Sequence, residues 1–140
     1  MSKKVIVTGA AGFIGTNTVL KLVEKGYEVI GFDNLERTGV QKNLEYIKKT
    51  CGDKFTFIWG DIRNDEDIKM LHKFGEGNPI IHLAANPGIP RSIAQPKYDF
   101  KVNAGGTLNM LEFAKEINSQ AFIYSSTNKV YCDSVNQIAL

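Results

Sequence analysis

Cysteine, histidine and proline are scarce in this sequence. Its 140 residues contain 2 cysteines, 2 histidines and 4 prolines. Cys51 and Cys132 lie far apart and neither belongs to a CxxC pair, which argues against a disulfide framework and against a zinc site. His72 and His82 are not spaced as a pair of metal ligands. We therefore expect no metal and a reducing, cytoplasmic location.

A charge excess and a long apolar run are also missing. The 17 basic and 15 acidic side chains leave a formal net charge of +2. The tightest basic groups, Lys3-Lys4 and Lys48-Lys49, are too small for a nucleic-acid footprint. No apolar stretch approaches a membrane span, and the opening MSKKVIVTGA is interrupted too early for a signal peptide. The chain is long enough for one domain, and we expect neither nucleic acid nor a membrane as a partner.

What the sequence does contain is an alternation of short apolar segments with helical ones. Five segments predict buried strands: KKVIVTG, YEVIGFD, KFTFIWGD, NPIIHLAA and QAFIYSS. Helices are predicted over 13–25, in a short part of 34–52, over 64–74 with Asn64 as N-cap, and over 98–118. The inward face predicted for the last helix is Phe100, Ala104, Thr107, Leu108, Leu111, Ala114 and Ile117. This alternation predicts an α/β fold, a doubly wound parallel (Rossmann) sheet of five strands in the order 3-2-1-4-5.

The most specific motif is the glycine-rich turn in VIVTGAAGFIGTN. Gly9, Gly12 and Gly15 lie between the first strand and the first helix, where a dinucleotide pyrophosphate binds helix amides. Asp33 ends the next strand and is placed to accept the adenosine ribose hydroxyls, which favours NAD over NADP. Arg37 is the nearby residue that would soften this preference. The alternative is an ordinary structural turn. A phosphate loop of the Walker type is excluded, because no Gly-Lys-Ser/Thr closes the motif.

Further candidates follow the third and fourth strands, at the edge where such folds bind ligands. Asp61 is predicted to accept a hydrogen bond from the adenine amino group, or alternatively to cap a helix. Ile62 would pack on the adenine ring. Ala84 and Ala85 have side chains small enough for a cofactor to lie against the backbone.

The last predicted helix contains Asn103, Gly105 and Gly106, which are poor helix formers. Glycines within an amphipathic helix indicate close approach of another backbone. Asn103 is predicted to hold a loop near the cofactor, with an exposed position as the alternative. The candidate cofactor contacts are Gly9, Gly12, Phe13, Ile14, Gly15, Asp33, Asn34, Asp61, Ile62, Leu83, Ala84, Ala85, Asn103, Ser125 and Ser126.

Several motifs together resemble one known family. TGAAGFIG, FDNL, GDIRN, HLAA, KVNAGGTLNMLEFA and FIYSSTNKVY resemble the extended short-chain dehydrogenase/reductases, specifically their NAD-dependent nucleotide-sugar epimerases and dehydratases. FDNLERTGVQKNL, GDIRN and YSSTNKVY are most similar to the CDP-paratose (CDP-tyvelose) 2-epimerases. UDP-glucose 4-epimerases, UDP-glucuronate epimerases and dTDP-glucose 4,6-dehydratases share the broader motifs.

The resemblance implies a mechanism and partners. A tightly held NAD takes a hydride from a sugar carbon, and a tyrosine phenolate removes the hydroxyl proton. In a 2-epimerase, the hydride returns to the other face of the keto sugar. Thr127 takes the place of the Ser/Thr that hydrogen-bonds the reacting oxygen, and Ser125 and Ser126 line the nicotinamide end; alternatively, these hydroxyls satisfy strand-end backbone groups. The implied substrate is a nucleotide sugar, with a CDP-hexose favoured, and the implied partner is a second copy or a complementing C-terminal chain.

One part of the family pattern is missing from the sequence. The family has a YxxxK helix beyond its Ser/Thr, whereas the residues four positions after the tyrosines here are Gly31, Thr50, Val102, Asn128 and Val135. Later strands and the substrate-binding portion are also absent, and Cys132 replaces a common glycine. We therefore interpret residues 1–140 as the NAD-binding N-terminal part of such an enzyme, truncated and without meaningful turnover of its own. The alternatives are a regulatory dinucleotide-binding module and a gene remnant.

Overall fold

A computed structural model describes residues 3–127 of the chain. Its five strands form one parallel sheet in the order β3-β2-β1-β4-β5, which confirms the predicted topology. The strands are β1 Lys4–Thr8, β2 Glu28–Asp33, β3 Phe55–Trp59, β4 Ile80–His82 and β5 Phe122–Tyr124. In this register Thr8 lies opposite Phe32 of β2 and opposite His82 of β4. The order of strands reverses at β1, so the crevice for a ligand lies between the carboxyl ends of β1 and β4.

Six helices accompany the sheet in the described part of the chain. They are α1 Phe13–Glu24, α2 Val40–Cys51, α3 Asp65–Lys69, α4 Ile89–Ala94, α5 Pro96–Phe100 and α6 Thr107–Glu116. None of them is both long and apolar enough to cross a membrane.

Each face of the sheet has its own apolar core, because successive strand side chains point to opposite faces. One core packs α1 and α2 on the sheet and includes Val5, Val7, Val19, Val29, Leu44, Ile47 and Phe55. The other packs α3 and α6 on the sheet and includes Ile6, Ile30, Phe32, Ile68, Leu71, Ile80, Met110 and Phe113. β1 and β2 are apolar without alternation because both of their faces are covered. In the edge strand β5, by contrast, Ile123 and Tyr124 are exposed.

Three helical segments differ from the sequence predictions. α2 spans 12 residues, as many as α1, where only a short helix was predicted. The segment predicted as one helix over 64–74 is α3 followed by a 3-10 helix, Met70–Phe74. α4 was not predicted, because Pro90 and the lack of buried residues in α4 leave no amphipathic pattern there.

The predicted inward face of the last helix was partly wrong. Phe100 is 70% exposed, Leu108 56% and Leu111 45%. The buried side is Val102, Gly106, Met110, Phe113, Ala114 and Ile117. The physical reason is a π-helical turn, Lys101–Gly106, which inserts an extra residue and shifts the helical phase between α5 and α6.

Candidate cofactor site

The glycine-rich turn packs more tightly than its sequence indicates. Gly9 has a φ of 66° and donates its N–H to the carbonyl oxygen of Phe32 at 2.9 Å. A β-carbon on Gly9 would lie 2.8 Å from the amide nitrogen of Ala84. A β-carbon on Gly15 would lie 2.0 Å from the carbonyl oxygen of Gly9. Side chains at these two positions are therefore excluded by backbone atoms, from the segment that follows β4 in the first case and from the turn itself in the second.

The N-terminus of α1 opens toward solvent at this turn. Gly12 is the N-cap and offers no side-chain hydrogen bond to the first amides of the helix. Those amides have no intrahelical partner and carry partial positive charge. A β-carbon on Gly12 would meet only the carbonyl oxygen of Gly9, at 3.2 Å, and otherwise open space. Phe13 and Ile14 flank this space and are 82% and 61% exposed. The arrangement fits a diphosphate.

Asp33 connects the end of β2 to the glycine-rich turn. Its Oδ2 accepts the N–H of Ala11 at 3.0 Å, and its Oδ1 accepts the N–H of Leu35 at 2.8 Å. Burial raises the pKa of Asp33, against the two amide hydrogen bonds that lower it. An ionised carboxylate has about four acceptor positions. The two positions that remain are available to a pair of vicinal hydroxyls.

Asp61 lies beside the loop that follows Asp33. It does not cap a helix, which was the alternative that the sequence left open. Asn64 caps α3 instead, as predicted, by accepting the N–H of Glu66 at 3.0 Å. The Oδ1 of Asp61 accepts the Nε–H of Arg63 at 2.8 Å, and its Oδ2 accepts from Asn34 Nδ2 at 2.9 Å. Burial alone would raise the pKa of Asp61, but these hydrogen bonds outweigh it and lower the pKa to about 2. Asp61 is therefore ionised and already accepts hydrogen bonds from two residues, Arg63 (through its backbone N–H, Nε and Nη2) and Asn34.

The apolar side chains that were predicted to contact a cofactor differ in how far they are exposed to solvent. Ile62 is buried, and a β-carbon on Gly106 would lie 2.5 Å from its Cδ1. The glycine in the π-helical turn thus accommodates a side chain, whereas the sequence predicted an approaching backbone. Leu83 and Ala84 are half-buried and Ala85 is exposed. Contact of these four residues with a cofactor stays a prediction.

A buried histidine, to which the sequence assigned no functional role, lies behind the crevice. His82 is fully buried, with Nδ1 at 2.7 Å from Thr8 Oγ1 and Nε2 at 3.0 Å from Thr107 Oγ1. Thr8 Oγ1 already accepts the N–H groups of Leu83 and Ala84, both at 3.2 Å, so its own proton goes to Nδ1. His82 is therefore the neutral Nε2–H tautomer, and burial lowers its pKa to about 4. A polar residue in an otherwise apolar strand was the available signal.

Asn103 holds the loop that follows β4. Its Oδ1 accepts the N–H of Asn86 at 2.7 Å, and its Nδ2 donates to the Asn86 carbonyl at 3.2 Å and to Asp99 Oδ1 at 3.1 Å. The exposed position considered as the alternative is therefore wrong, since Asn103 is half-buried. Proximity to a cofactor stays a prediction.

The hydroxyl residues follow β5 at the same edge of the sheet. Ser125 donates its backbone N–H to the carbonyl oxygen of His82 at 3.3 Å. Ser125, Ser126 and Thr127 are all exposed. Cys132, to which the sequence interpretation also referred, lies outside the described residues.

A second feature missed from the sequence is a charged network centred on Glu36. Its Oε1 accepts from Arg91 Nη2 at 2.5 Å, and its Oε2 accepts from the Tyr98 hydroxyl at 2.8 Å and from Arg63 Nη2 at 3.4 Å. The Arg91 and Arg63 guanidinium carbons lie 4.0 and 4.8 Å from the Tyr98 ring centroid. The hydrogen bond from Arg91, opposed by burial, lowers the pKa of Glu36. Arg37, the residue that sequence proximity suggested, is exposed.

The doubly wound parallel sheet, with a glycine-rich turn after β1 and an aspartate at the end of β2, defines the chain as a Rossmann-type dinucleotide-binding fold. The profile of the GDP-mannose 4,6 dehydratase family matches residues 6–138, and the chain belongs to that family. This membership confirms the resemblance to the NAD-dependent epimerases and dehydratases that the motifs indicated.

Three similar proteins illustrate the relationship. The chain is 41% identical to CDP-paratose 2-epimerase of Salmonella typhi over 93% of its own length and 38% of the relative. It is 35% identical to a UDP-glucose 4-epimerase of Klebsiella pneumoniae over 93% of both chains. The structure of UDP-glucose 4-epimerase from Bifidobacterium longum in complex with NAD+ and UDP superposes with a TM-score of 0.82 and 32% identity, over 92% of this chain and 38% of that one. The chain thus spans 38% of the length of the first of these relatives.

Proposed function

We propose that residues 1–140 form an NAD-binding domain of a nucleotide-sugar epimerase. The observation that carries the proposal is the open N-terminus of α1 at Gly12, joined to Asp33 by the hydrogen bond from Ala11. A pyrophosphate would accept hydrogen bonds from the first amides of α1, where the helix dipole favours negative charge. The crystallised relatives with NAD support this choice of cofactor.

The ribose end of the proposed site depends on Asp33. Its amide bonds to Ala11 and Leu35 fix the carboxylate, and its remaining acceptor positions would take the two ribose hydroxyls. A 2′-phosphate at the same place would meet the charge of Asp33. Preference for NAD over NADP follows from that repulsion.

The proposed reaction of the complete enzyme is epimerisation of a CDP-hexose. When bound, NAD supplies a hydride acceptor and donor. Thr127 would donate a hydrogen bond to the sugar oxygen as that oxygen loses its proton, and a donor placed there stabilises the developing charge. Similarity to CDP-paratose 2-epimerase favours this substrate over the UDP-sugars of the other epimerase relatives.

Calorimetry of the 140-residue chain tests the cofactor proposal. We expect heat on titration with NAD, and a weaker response with NADP. Gly12→Ala should weaken NAD binding, because its φ of −67° suits any residue and the added methyl group would occupy the space proposed for phosphate. Gly105→Ala is the matched control, since a β-carbon there has only the Phe100 carbonyl oxygen nearby, at 4.0 Å. A folded chain that gives no heat with millimolar NAD, or that binds NADP more tightly, would contradict the proposal.

Turnover by these residues alone is not expected. None of the tyrosines has a lysine four positions later. A missing general base typically lowers a rate by about two to four orders of magnitude. Incubation of the chain with NAD and CDP-paratose should therefore give neither inverted sugar nor NADH absorbance. Conversion at an ordinary enzymatic rate would refute this expectation, and conversion of a UDP-sugar instead would redirect the substrate assignment.

A further inference from the structure

The Glu36 network joins three loops at the carboxyl edge of the sheet. Glu36 follows β2, Arg63 follows β3, and Arg91 and Tyr98 belong to α4 and α5 after β4. β2 and β4 flank β1 on opposite sides in the sheet. The hydrogen bond between Arg91 and Glu36 therefore extends from the β4 side to the β2 side, past the end of β1.

Arg91 and Tyr98 converge on Glu36 as they would on an external anion. Arg91 donates to Oε1 and Tyr98 to Oε2, and the Arg91 guanidinium is stacked at 4.0 Å from the Tyr98 ring centroid. Guanidinium groups bind phosphate oxygens in the same manner as carboxylate oxygens. Arg63 contributes less to this convergence, because its Nε and Nη2 both bond Asp61. Glu36 thus occupies an anion-binding pair made of Arg91 and Tyr98.

The network adjoins the proposed ribose site. Glu36 lies three residues after Asp33. Asn34 Nδ2 donates to Asp61 Oδ2 at 2.9 Å and to Glu36 Oε2 at 3.3 Å, so the two carboxylates share one amide group. The backbone N–H of Leu35 binds Asp33 Oδ1. The side chain of Glu36 is about one-third exposed and therefore reachable by a ligand.

We propose that Glu36 is a second determinant of cofactor preference, acting with Asp33, because it occupies the Arg91–Tyr98 pair that would otherwise bind the 2′-phosphate of NADP. This role rests on the proposed NAD site. In the native protein a 2′-phosphate meets the charges of Asp33, Asp61 and Glu36, while Arg63 and Arg91 are already paired with carboxylates. Without the charge of Glu36, Arg91 loses its carboxylate partner and the Tyr98 hydroxyl becomes available to a phosphate oxygen.

The test compares 5′-AMP with adenosine 2′,5′-bisphosphate, which differ only in the 2′-phosphate. Their affinities are measured by calorimetry for the native chain and for Glu36→Gln, which keeps the shape of the side chain and removes its charge. We expect the native chain to prefer 5′-AMP. Glu36→Gln should shift the affinity ratio toward the bisphosphate by about tenfold or more, as expected for one new charge-assisted contact. Added salt should reduce that gain.

Two further variants identify the source of the shift. Glu36→Gln combined with Arg91→Met should lose the gain, because the guanidinium that binds the phosphate is gone. Glu45→Gln changes the net charge equally at an exposed position on α2 and should leave the ratio at the native value. Circular dichroism establishes that each variant is folded before its affinities are compared.

Three outcomes would overturn the role of Glu36. The first is that Glu36→Gln leaves the ratio of the affinities for the bisphosphate and 5′-AMP unchanged. The second is that Glu45→Gln shifts this ratio as much as Glu36→Gln does. The third is that the shift persists when Arg91→Met is combined with Glu36→Gln. In each of these cases the native chain still binds NAD, so the proposed function stands. A native chain that binds neither 5′-AMP nor NAD refutes the proposed function and the role of Glu36 together.

Discussion

Acidification should destabilise this protein through one buried side chain, His82. The unfolded chain binds a proton at His82 below about pH 6.5, whereas the folded protein resists protonation until about pH 4. The unfolded state therefore binds more protons in this window, and the free energy of unfolding falls as pH falls from about 6.5 toward 4. The side chains that contact the ring, Thr8, Thr107, Phe122 and Tyr124, are neutral and offer no compensating charge.

The magnitude follows from the depression of the pKa. Each unit of pKa difference corresponds to about 1.4 kcal/mol. A fall from 6.5 to about 4 therefore removes about 3 kcal/mol by the lower end of the window. For a domain of this size, that is a large part of a typical total of roughly 5–15 kcal/mol. Protonation also places a donor on Nδ1 opposite the Thr8 hydroxyl, which could accept it only by releasing one of the two backbone amides, of Leu83 or Ala84, that it already binds.

Urea unfolding followed by circular dichroism at several pH values measures the effect. His82→Gln keeps a donor and an acceptor but does not titrate, so its stability should be lower at pH 7 and should vary less between about pH 6.5 and 4.5. His72→Gln is the matched control, because it removes a histidine that is exposed and has a surface partner, with Nε2 at 3.3 Å from Glu116 Oε2, rather than a buried one. Parallel pH profiles for the native chain and His82→Gln would refute the reasoning, as would an NMR titration giving His82 an ordinary pKa.

Two further predictions concern the packing around the crevice and are tested with three substitutions. Gly15→Ala should destabilise the fold by about 2 kcal/mol or more, since its β-carbon would lie 2.0 Å from the Gly9 carbonyl oxygen. Gly105→Ala, in open helical surroundings, should instead stabilise it by up to about 1 kcal/mol; equal denaturation midpoints would contradict this contrast. Asn103→Ala should lower stability by about 1–3 kcal/mol and speed amide hydrogen exchange at Asn86, because it removes both bonds to that residue. Unchanged exchange at Asn86 would show that other contacts hold the loop.

The strands and their order were predictable because each is a continuous apolar run ending in polar or small residues. The helices were less predictable. In α6, Leu108 and Leu111 on one side compete with Met110 and Phe113 on the other, and periodicity alone does not select between them. The π-helical turn and the packing of Met110 and Phe113 on the sheet decide which side is buried.

In the candidate site, too, some features could be predicted from the sequence and others could not. The placement of Gly9, Gly12, Gly15 and Asp33 was predictable because a fixed local spacing puts backbone amides and one carboxylate at the ends of adjacent strands. Their contact with a cofactor stays a prediction. Asn64 was predictable as a helix cap because its hydrogen bond is formed two residues along the chain. For Asp61 the sequence left two alternatives open, a contact with adenine and a helix cap. The structure pairs its carboxylate with Arg63, and the helix cap is Asn64 instead.

The sequence by itself determined the alternation of strands and helices, the glycine-rich turn and the acidic end of β2, because each depends on residues close together in the chain. Only the tertiary structure decided that His82 is enclosed by Thr8 and Thr107, and that Glu36 is paired with Arg91. These partners are separated by tens of residues and meet only where parallel strands align their carboxyl ends. Burial and charge pairing at such a meeting point are properties of the folded sheet, and no local pattern encodes them.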